Sequence, residues 1–277
     1  MSDDNLLSRL DEHGTLTLAF NAPAIKNALD TRAQRRLVTM LQDAERNPAV
    51  KVLVLTGTGN AFCTGADVRS MGAPDPDDAI AQEQSGTAAW QDVEYRVDRL
   101  RHNARAASLL ARMGKPTIAR LPGPAAGLGF SLALACDFRV ASRTASLVPA
   151  FVKIGTSGDY GGTFFLTRLV GPAKAREICM LGDKIDAETA LRLGLLTKLV
   201  DDAQLDAETY ALARRLAEGP PIALRYIKEN VDAAIDRDLE AFLDLESRNM
   251  IRSRLTEDCK EAMAAFLEKR TPRFKGC

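Results

Sequence analysis

Two glycine-containing turns are the first places in this sequence where backbone groups could do chemistry. One lies in residues 61–71 (AFCTGADVRSM), and the other lies in residues 121–137 (LPGPAAGLGFSLALACD). In each, a predicted strand leads through glycine into a helix, so N–H groups at the helix start have no partner within the helix. Such groups stabilise negative charge. Alternatively, Gly127 and Gly129 simply pack a tight corner.

A single carboxylate lies in a third glycine-rich turn. Residues 158–162 read Gly-Asp-Tyr-Gly-Gly, which puts Asp159 just before a predicted helix. An acid in such a turn could serve proton transfer. The alternative is that Asp159 is only a helix cap or a turn residue.

The composition argues against several other kinds of chemistry. The chain has 277 residues with 37 basic and 37 acidic side chains, so no global field favours nucleic acid or an anionic membrane. His13 and His102 are the only histidines, which leaves little for a metal site or a catalytic triad. Five scattered cysteines favour a reducing compartment. Without a membrane-spanning or signal-like segment, we expect a cytoplasmic protein that binds no metal.

Alternating strands and helices are predicted to hold these turns, which indicates an α/β fold. Predicted strands lie at 15–20, 50–56, 116–121 and 137–141, and predicted helices lie at 31–46, 83–113 and 127–135. Beyond about residue 166 the pattern is almost wholly helical, with helices at 171–181, 187–192, 205–218, 222–236, 238–253 and 257–269. We therefore expect an α/β part over residues 1–200 and a helical part over residues 201–277.

Taken together, the two turns resemble those of the crotonase superfamily, the enoyl-CoA hydratase/isomerase family. The resemblance runs nearly end to end. It rests on residues 26–29 (KNAL), 62–71, 122–137, 155–171, 187–200 and 266–276 (FLEKRTPRFKG). It implies a spiral of ββα units with an all-helical C-terminal region that forms trimers, often paired into hexamers.

The resemblance also implies a site for an acyl-CoA thioester, with CoA as part of the substrate and no separate cofactor. The backbone N–H groups of Ala66 and Leu128 would form an oxyanion hole for the enolate, where one donor is worth roughly 3–4 kcal/mol. The implied contacts to the CoA or acyl part are Lys26, Ala66, Asp67, Val68, Gly127, Gly129, Ser131, Phe151 and Tyr160. From a neighbouring subunit, Phe266, Lys269 and Lys275 would reach the nucleotide.

Hydratases of this family use two glutamates, and here Ser131 and Phe151 stand at those positions. Asp159 remains, before Gly-Gly-Thr, as in ring-opening and double-bond isomerases of phenylacetate-type pathways. One carboxylate is enough for isomerisation, because the same group removes and returns the proton. Phe130, Phe151 and Phe164 are expected to shield this acid from water and to raise its pKa. We expect an enoyl-CoA isomerase of fatty or aromatic acid degradation.

Two alternatives stay open. Asp159 could be the nucleophile of a thioester hydrolase or an aryl-CoA dehalogenase, although His102 and Trp90 do not match the partners that dehalogenases add. The chain could also be a CoA-binding protein without activity, since both glutamates are missing. In the leading hypothesis, an acid within residues 83–99, such as Glu94, could join the site.

Overall fold

The computed structural model describes residues 5–67, 69 and 93–277, and the strands of these residues form two sheets. The strands are β1 (Leu6–Leu10), β2 (Thr15–Phe20), β3 (Val52–Gly57), β4 (Thr117–Leu121), β5 (Pro124–Ala126), β6 (Phe138–Ser142), β7 (Ser146–Val148), β8 (Ile185–Asp186) and β9 (Lys198–Val200). The larger sheet has the order β1-β2-β3-β4-β6-β9 and is parallel from β2 to β9. The smaller sheet has the order β5-β7-β8.

Helices connect the strands and then form most of the C-terminal third. They are α1 (Thr31–Arg46), α2 (Val93–Arg112), α3 (Leu128–Ala135), α4 (Gly162–Leu181), α5 (Ala187–Arg192), α6 (Leu205–Ala217), α7 (Pro221–Ala233), α8 (Leu239–Arg254) and α9 (Glu257–Glu268). The α1 helix begins where predicted, because the carboxylate of Asp30 accepts a hydrogen bond from the N–H of Ala33 at 2.7 Å. The alternation of elements confirms the predicted α/β class.

Two stretches of the chain each add one strand to the larger sheet and one to the smaller. β4 leads into β5 and then α3, while β6 leads into β7. Outside the named strands, Cys63 bridges Ala125 of β5, and Ala66 bridges Leu29, so the earlier passages follow the same path. This repeat of strand, second strand and helix is the predicted spiral of ββα units.

Both faces of the larger sheet are covered, which explains why β3 is apolar throughout. Leu53 and Leu55 face the core beneath the connecting helices. Val52 and Val54 face the other way and belong to a second apolar cluster that includes Ala213 of α6. A parallel strand with two buried faces has no reason to alternate in polarity. The boundary near residue 200 stays a prediction, although α6 lies beyond it and packs on the sheet.

Two features of the region after residue 166 differ from the prediction. The fourth helix begins at Gly162 rather than at Gly171, where the backbone leaves the helical conformation with φ 76° and ψ 163° before Pro172. The short strands β8 and β9 were not predicted, because two or three residues are too few for a recognisable alternation. Of the helix predicted at 83–113, α2 is the described part, and residues 83–92 lie outside the described residues.

Candidate active site

The two glycine turns of the sequence meet in the structure. Gly65 and Gly127 both have positive φ, 112° and 53°, a conformation that other residues adopt only with strain. A Cβ atom built on Gly127 would lie 3.6 Å from the Cα atom of Gly65, and the N–H of Ala126 donates to the carbonyl of Cys63 at 2.9 Å, so the two turns lie side by side. The two turns, which the resemblance assigns to one oxyanion hole, are therefore adjacent in the structure.

Two backbone amides at this meeting point are the candidates for binding a ligand. Within the described residues, neither the N–H of Ala66 nor that of Leu128 donates to a protein acceptor. Leu128 is the first residue of α3, so its N–H has no partner within the helix. The next amides along the chain are occupied: Gly127 donates to the carbonyl of Val148 at 3.1 Å, and Asp67 donates to that of Leu29 at 2.9 Å.

Close packing holds the start of α3 against the first turn. A Cβ atom on Gly129 would lie 2.1 Å from the carbonyl oxygen of Cys63, which leaves no room for a side chain. That carbonyl also accepts a hydrogen bond from the N–H of Ala126 at 2.9 Å. The packing role considered for Gly129 is thus real, and it brings the amide of Leu128 close to the first turn.

Asp159 is held at both its backbone and its side chain. Its carbonyl accepts hydrogen bonds from the hydroxyl of Ser131 at 2.7 Å and from the N–H of Gly162 at 3.0 Å. Its carboxylate accepts one from the N–H of Tyr160 at 2.6 Å. Burial raises the pKa of Asp159 from 3.8 to about 6, although the Tyr160 hydrogen bond works in the opposite direction. This carboxyl group can therefore exchange a proton near neutral pH.

The three aromatic residues expected around this acid differ in exposure. Phe130 and Phe151 are buried. The side chain of Phe164 is instead 47% exposed, and its ring lies 3.5 Å from the guanidinium of Arg168. Phe164 therefore contributes less to the shielding of Asp159 than we expected.

Ser131 and Phe151, at the two positions assigned to glutamates, lie in α3 and in a 3-10 turn at Ala150–Ile154. Ser131 is 0% exposed, and its hydroxyl is bound to the carbonyl of Asp159. It thus positions the acid, which the sequence did not indicate. Gln34 of α1 was also missed: its side-chain oxygen accepts a hydrogen bond from the hydroxyl of Tyr160 at 2.8 Å. These two are 126 positions apart, so no local pattern joins them.

The residues expected to bind CoA lie in several places. Lys26 precedes the buried Asn27 in a loop beside the first turn, and its carbonyl accepts a hydrogen bond from Thr64 at 3.1 Å. Asp67 is paired with Arg69 at 2.8 Å, and this partner lowers the pKa of its carboxyl. Val68 lies outside the described residues.

The C-terminal tail and other candidate groups are separate from this cluster of turns. Phe266 is 84% exposed on α9, and Lys269 ends that helix on the surface. The backbone of Lys275 is tied to its own chain, because its N–H donates to the carboxylate of Asp258 at 2.6 Å. Glu94 is exposed in the first turn of α2.

Other reactive chemistry finds little support in the described part of the chain. Burial raises the pKa of Cys63, in the first turn, to about 12, so this thiol stays protonated near neutral pH. Among the described residues, no three His, Cys, Asp or Glu side chains are grouped to hold a metal ion. The same residues contain no helix that is both long enough and apolar enough to cross a membrane.

Comparison with known proteins shows the family of the chain. A model of the enoyl-CoA hydratase/isomerase family matches residues 11–277. The chain is 35% identical to a 1,2-epoxyphenylacetyl-CoA isomerase of Escherichia coli K12, over 96% of both chains. It is 31% identical to a crotonyl-CoA hydratase of Syntrophomonas wolfei, over 99% of both. A crystal structure of an enoyl-CoA hydratase from Polaromonas sp. JS666 superposes with a TM-score of 0.86 at 32% identity, covering 98% of this chain and 99% of that one.

The chain belongs to the enoyl-CoA hydratase/isomerase family. As a member of this family it has the crotonase fold and is an acyl-CoA enzyme. The solved hydratase and the named relatives span nearly its full length, so the match is not confined to one motif. Both hydratases and isomerases occur among these relatives, so the family alone does not specify the reaction.

Proposed function

We propose that this enzyme isomerises enoyl-CoA thioesters through an enolate, with Asp159 as the single acid and base. The observation that carries the proposal is the state of that carboxyl group. It is partly buried, its pKa is raised to about 6, and Ser131 ties its turn to α3, the helix that begins at Leu128. A proton-transfer group is therefore held at a fixed place relative to the two available amides.

In this proposal the N–H groups of Ala66 and Leu128 bind the thioester oxygen. They belong to turns that lie side by side, and neither donates to a protein acceptor within the described residues. Two preorganised donors stabilise the negative charge that develops on that oxygen. Because CoA is part of the substrate, the reaction needs no further cofactor.

The proposed reaction has two proton transfers. With a 3-enoyl-CoA, the carboxylate of Asp159 removes a proton from the carbon next to the thioester, and the C–H electron pair moves into a dienolate. The resulting carboxylic acid then returns the proton to the γ carbon, which forms the 2-enoyl-CoA. Asp159 ends as it began, so one group is enough.

The side chains at the two glutamate positions favour isomerisation over hydration. Ser131 is committed to the carbonyl of Asp159, and Phe151 is apolar and buried. Neither can activate a water molecule as a carboxylate does. An isomerase acting on 1,2-epoxyphenylacetyl-CoA is among the relatives, which supports an acyl-CoA rearrangement without water addition.

We further propose that the enzyme works as a trimer or a pair of trimers. Large apolar side chains are exposed on the C-terminal helices, including Val231, Leu255, Phe266 and Leu267. Exposed apolar area of this kind is typical of an interface. In the assembly, Phe266, Lys269 and Lys275 would lie near the CoA nucleotide of the next subunit, while Lys26, Asp67 and Val68 would contact CoA within one subunit.

The proposal is tested with 3-enoyl-CoA and 2-enoyl-CoA in deuterated water, followed by NMR. Isomerisation supports it, with deuterium at the γ carbon of the 2-enoyl product or at the α carbon of the returned 3-enoyl substrate when the Asp159 proton exchanges with solvent. Water addition to the 2-enoyl thioester would make the enzyme a hydratase. A covalent adduct on Asp159 in a single turnover would instead identify a hydrolase or dehalogenase. Tight CoA binding without exchange would indicate a binding protein.

A further inference from the structure

Tyr160 has a backbone conformation that needs an explanation. Its φ is +49°, and a non-glycine residue in this region carries strain. The N–H of the same residue donates a hydrogen bond to the carboxylate of Asp159, at 2.6 Å. The strained residue therefore holds the acid directly, so whatever fixes Tyr160 also fixes the orientation of that carboxylate.

The side chain of Tyr160 is anchored far from its own turn. It is 3% exposed, and its hydroxyl donates to the side-chain oxygen of Gln34 at 2.8 Å. Burial raises the pKa of this hydroxyl well above its ordinary value, so it remains a donor at working pH. The ring and its hydrogen bond thus oppose relaxation of the strained backbone.

Hydrogen bonds also connect Gln34 to the first glycine turn. Its side-chain nitrogen donates to the carbonyl of Leu29 at 3.1 Å. The same carbonyl accepts the N–H of Asp67 at 2.9 Å, and the N–H of Leu29 donates to the carbonyl of Gly65 at 2.9 Å. One continuous path of hydrogen bonds therefore joins the acid to the residues on both sides of Ala66.

We propose that Tyr160 and Gln34 are positioning residues that set the place of the Asp159 carboxylate relative to the amide of Ala66. The inference rests on the proposed function, in which these two groups act on the same thioester. Neither side chain needs to touch the substrate. They act on the geometry of proton transfer, because a small displacement of the Asp159 carboxylate lowers the rate by a large factor.

The test compares Tyr160→Phe, Gln34→Met and the double variant in the deuterium exchange assay. Each single variant is expected to lower kcat roughly tenfold, with KM changed less than about twofold. Because the two side chains form one path, the double variant should be no slower than the slower single variant. Gln34→Glu keeps an acceptor for Tyr160 but loses the donor to Leu29, so it should also be slow.

A matched control separates this role from general packing. Tyr210 of α6 makes a comparable hydroxyl contact, 3.1 Å from the hydroxyl of Thr17, in the cluster on the other face of the sheet. Tyr210→Phe should leave kcat unchanged. The pH profile of kcat should also move upward in Tyr160→Phe and not in Tyr210→Phe, since a loosened Tyr160 N–H no longer stabilises the Asp159 carboxylate.

The outcomes distinguish the inference from the function on which it rests. If the wild type exchanges, Asp159→Asn does not, and the Tyr160 and Gln34 variants keep the wild-type kcat and pH profile, the positioning role is wrong. Additive losses in the double variant would also overturn it. If the wild type neither isomerises the 3-enoyl thioester nor exchanges its α hydrogen, the proposed function fails, and the inference fails with it.

Discussion

The hydroxyl of Ser131 donates a hydrogen bond to the backbone carbonyl of Asp159 at 2.7 Å, so the proposed acid is attached to the same helix that begins at Leu128. Removing this bond in Ser131→Ala is expected to lower the free energy of unfolding by about 1 kcal/mol, because Gly162 still donates to that carbonyl. It is also expected to lower kcat, since the turn of Asp159 gains freedom. Chemical denaturation and exchange rates measure the two effects.

The control is Ser253→Ala on α8, where a serine hydroxyl donates to the carbonyl of Asn249 at 2.9 Å. We expect a similar loss of stability and no change in kcat. Equal kcat values for the two variants would mean that Ser131 supports the fold only.

The raised pKa of Asp159 predicts a dependence of stability on pH. Burial holds this pKa at about 6 in the folded chain against 3.8 for an exposed aspartate. The folded state therefore binds more protons between pH 4 and pH 6, and stability falls as the pH rises through that window. Above pH 6, ionisation of Asp159 lowers the free energy of unfolding by up to about 3 kcal/mol.

Asp159→Asn should therefore raise the free energy of unfolding at pH 7 by about 1–3 kcal/mol, with no gain near pH 4. Asp186 gives the opposite case, because hydrogen bonds from Thr189 lower its pKa, and Asp186→Asn should not stabilise the chain. Urea titrations at the two pH values measure this. A less stable Asp159→Asn at pH 7 would show that the carboxylate is not shielded from water.

The contact of the two turns predicts very different costs for two glycine substitutions. An added Cβ in Gly129→Ala would lie 2.1 Å from the carbonyl oxygen of Cys63, so we expect a loss of at least about 3 kcal/mol or failure to fold. Gly155 has positive φ, +72°, and open space around it, so Gly155→Ala should cost only about 1 kcal/mol. Denaturation of both variants checks this, and equal stabilities would contradict the packing of α3 on the first turn.

The proposed trimer predicts that a charge on its apolar surface separates the subunits. Phe266 is 84% exposed in the single chain, so Phe266→Glu should not disturb the fold of one subunit but should yield monomers. Leu10→Glu, on strand β1, replaces an exposed residue outside the C-terminal helices and should leave the assembly intact. Sedimentation velocity distinguishes these results. A wild type that is already monomeric would contradict the proposed assembly.

Local patterns in the sequence were enough to predict much of the fold. Alternation and capping located β2 and α1, because each signal lies within the element that it describes. The glycine turns could likewise be found, since positive φ at Gly65 and Gly127 requires glycine. The short strand β8 and the helix start at Gly162 were not found, because neither leaves a periodic signal.

The support around the acid could not be predicted from the sequence. Asp159 was identified from its turn, but its partners Ser131 and Gln34 come from different helices and are brought close only by the fold. The exposure of Phe164 could not be predicted either, because it depends on how α4 packs against its neighbours. Such contacts depend on tertiary packing and not on spacing along the chain.

The central claim is that one carboxylate, Asp159, moves the proton. The most direct measurement is α-deuterium exchange of a 3-enoyl-CoA in deuterated water, with wild type and Asp159→Asn compared at equal occupancy of the thioester. We predict exchange and isomerisation in the wild type, with a kcat that rises as the pH passes through about 6, and no exchange in Asp159→Asn despite unchanged binding. Exchange by Asp159→Asn at the wild-type rate would contradict the account.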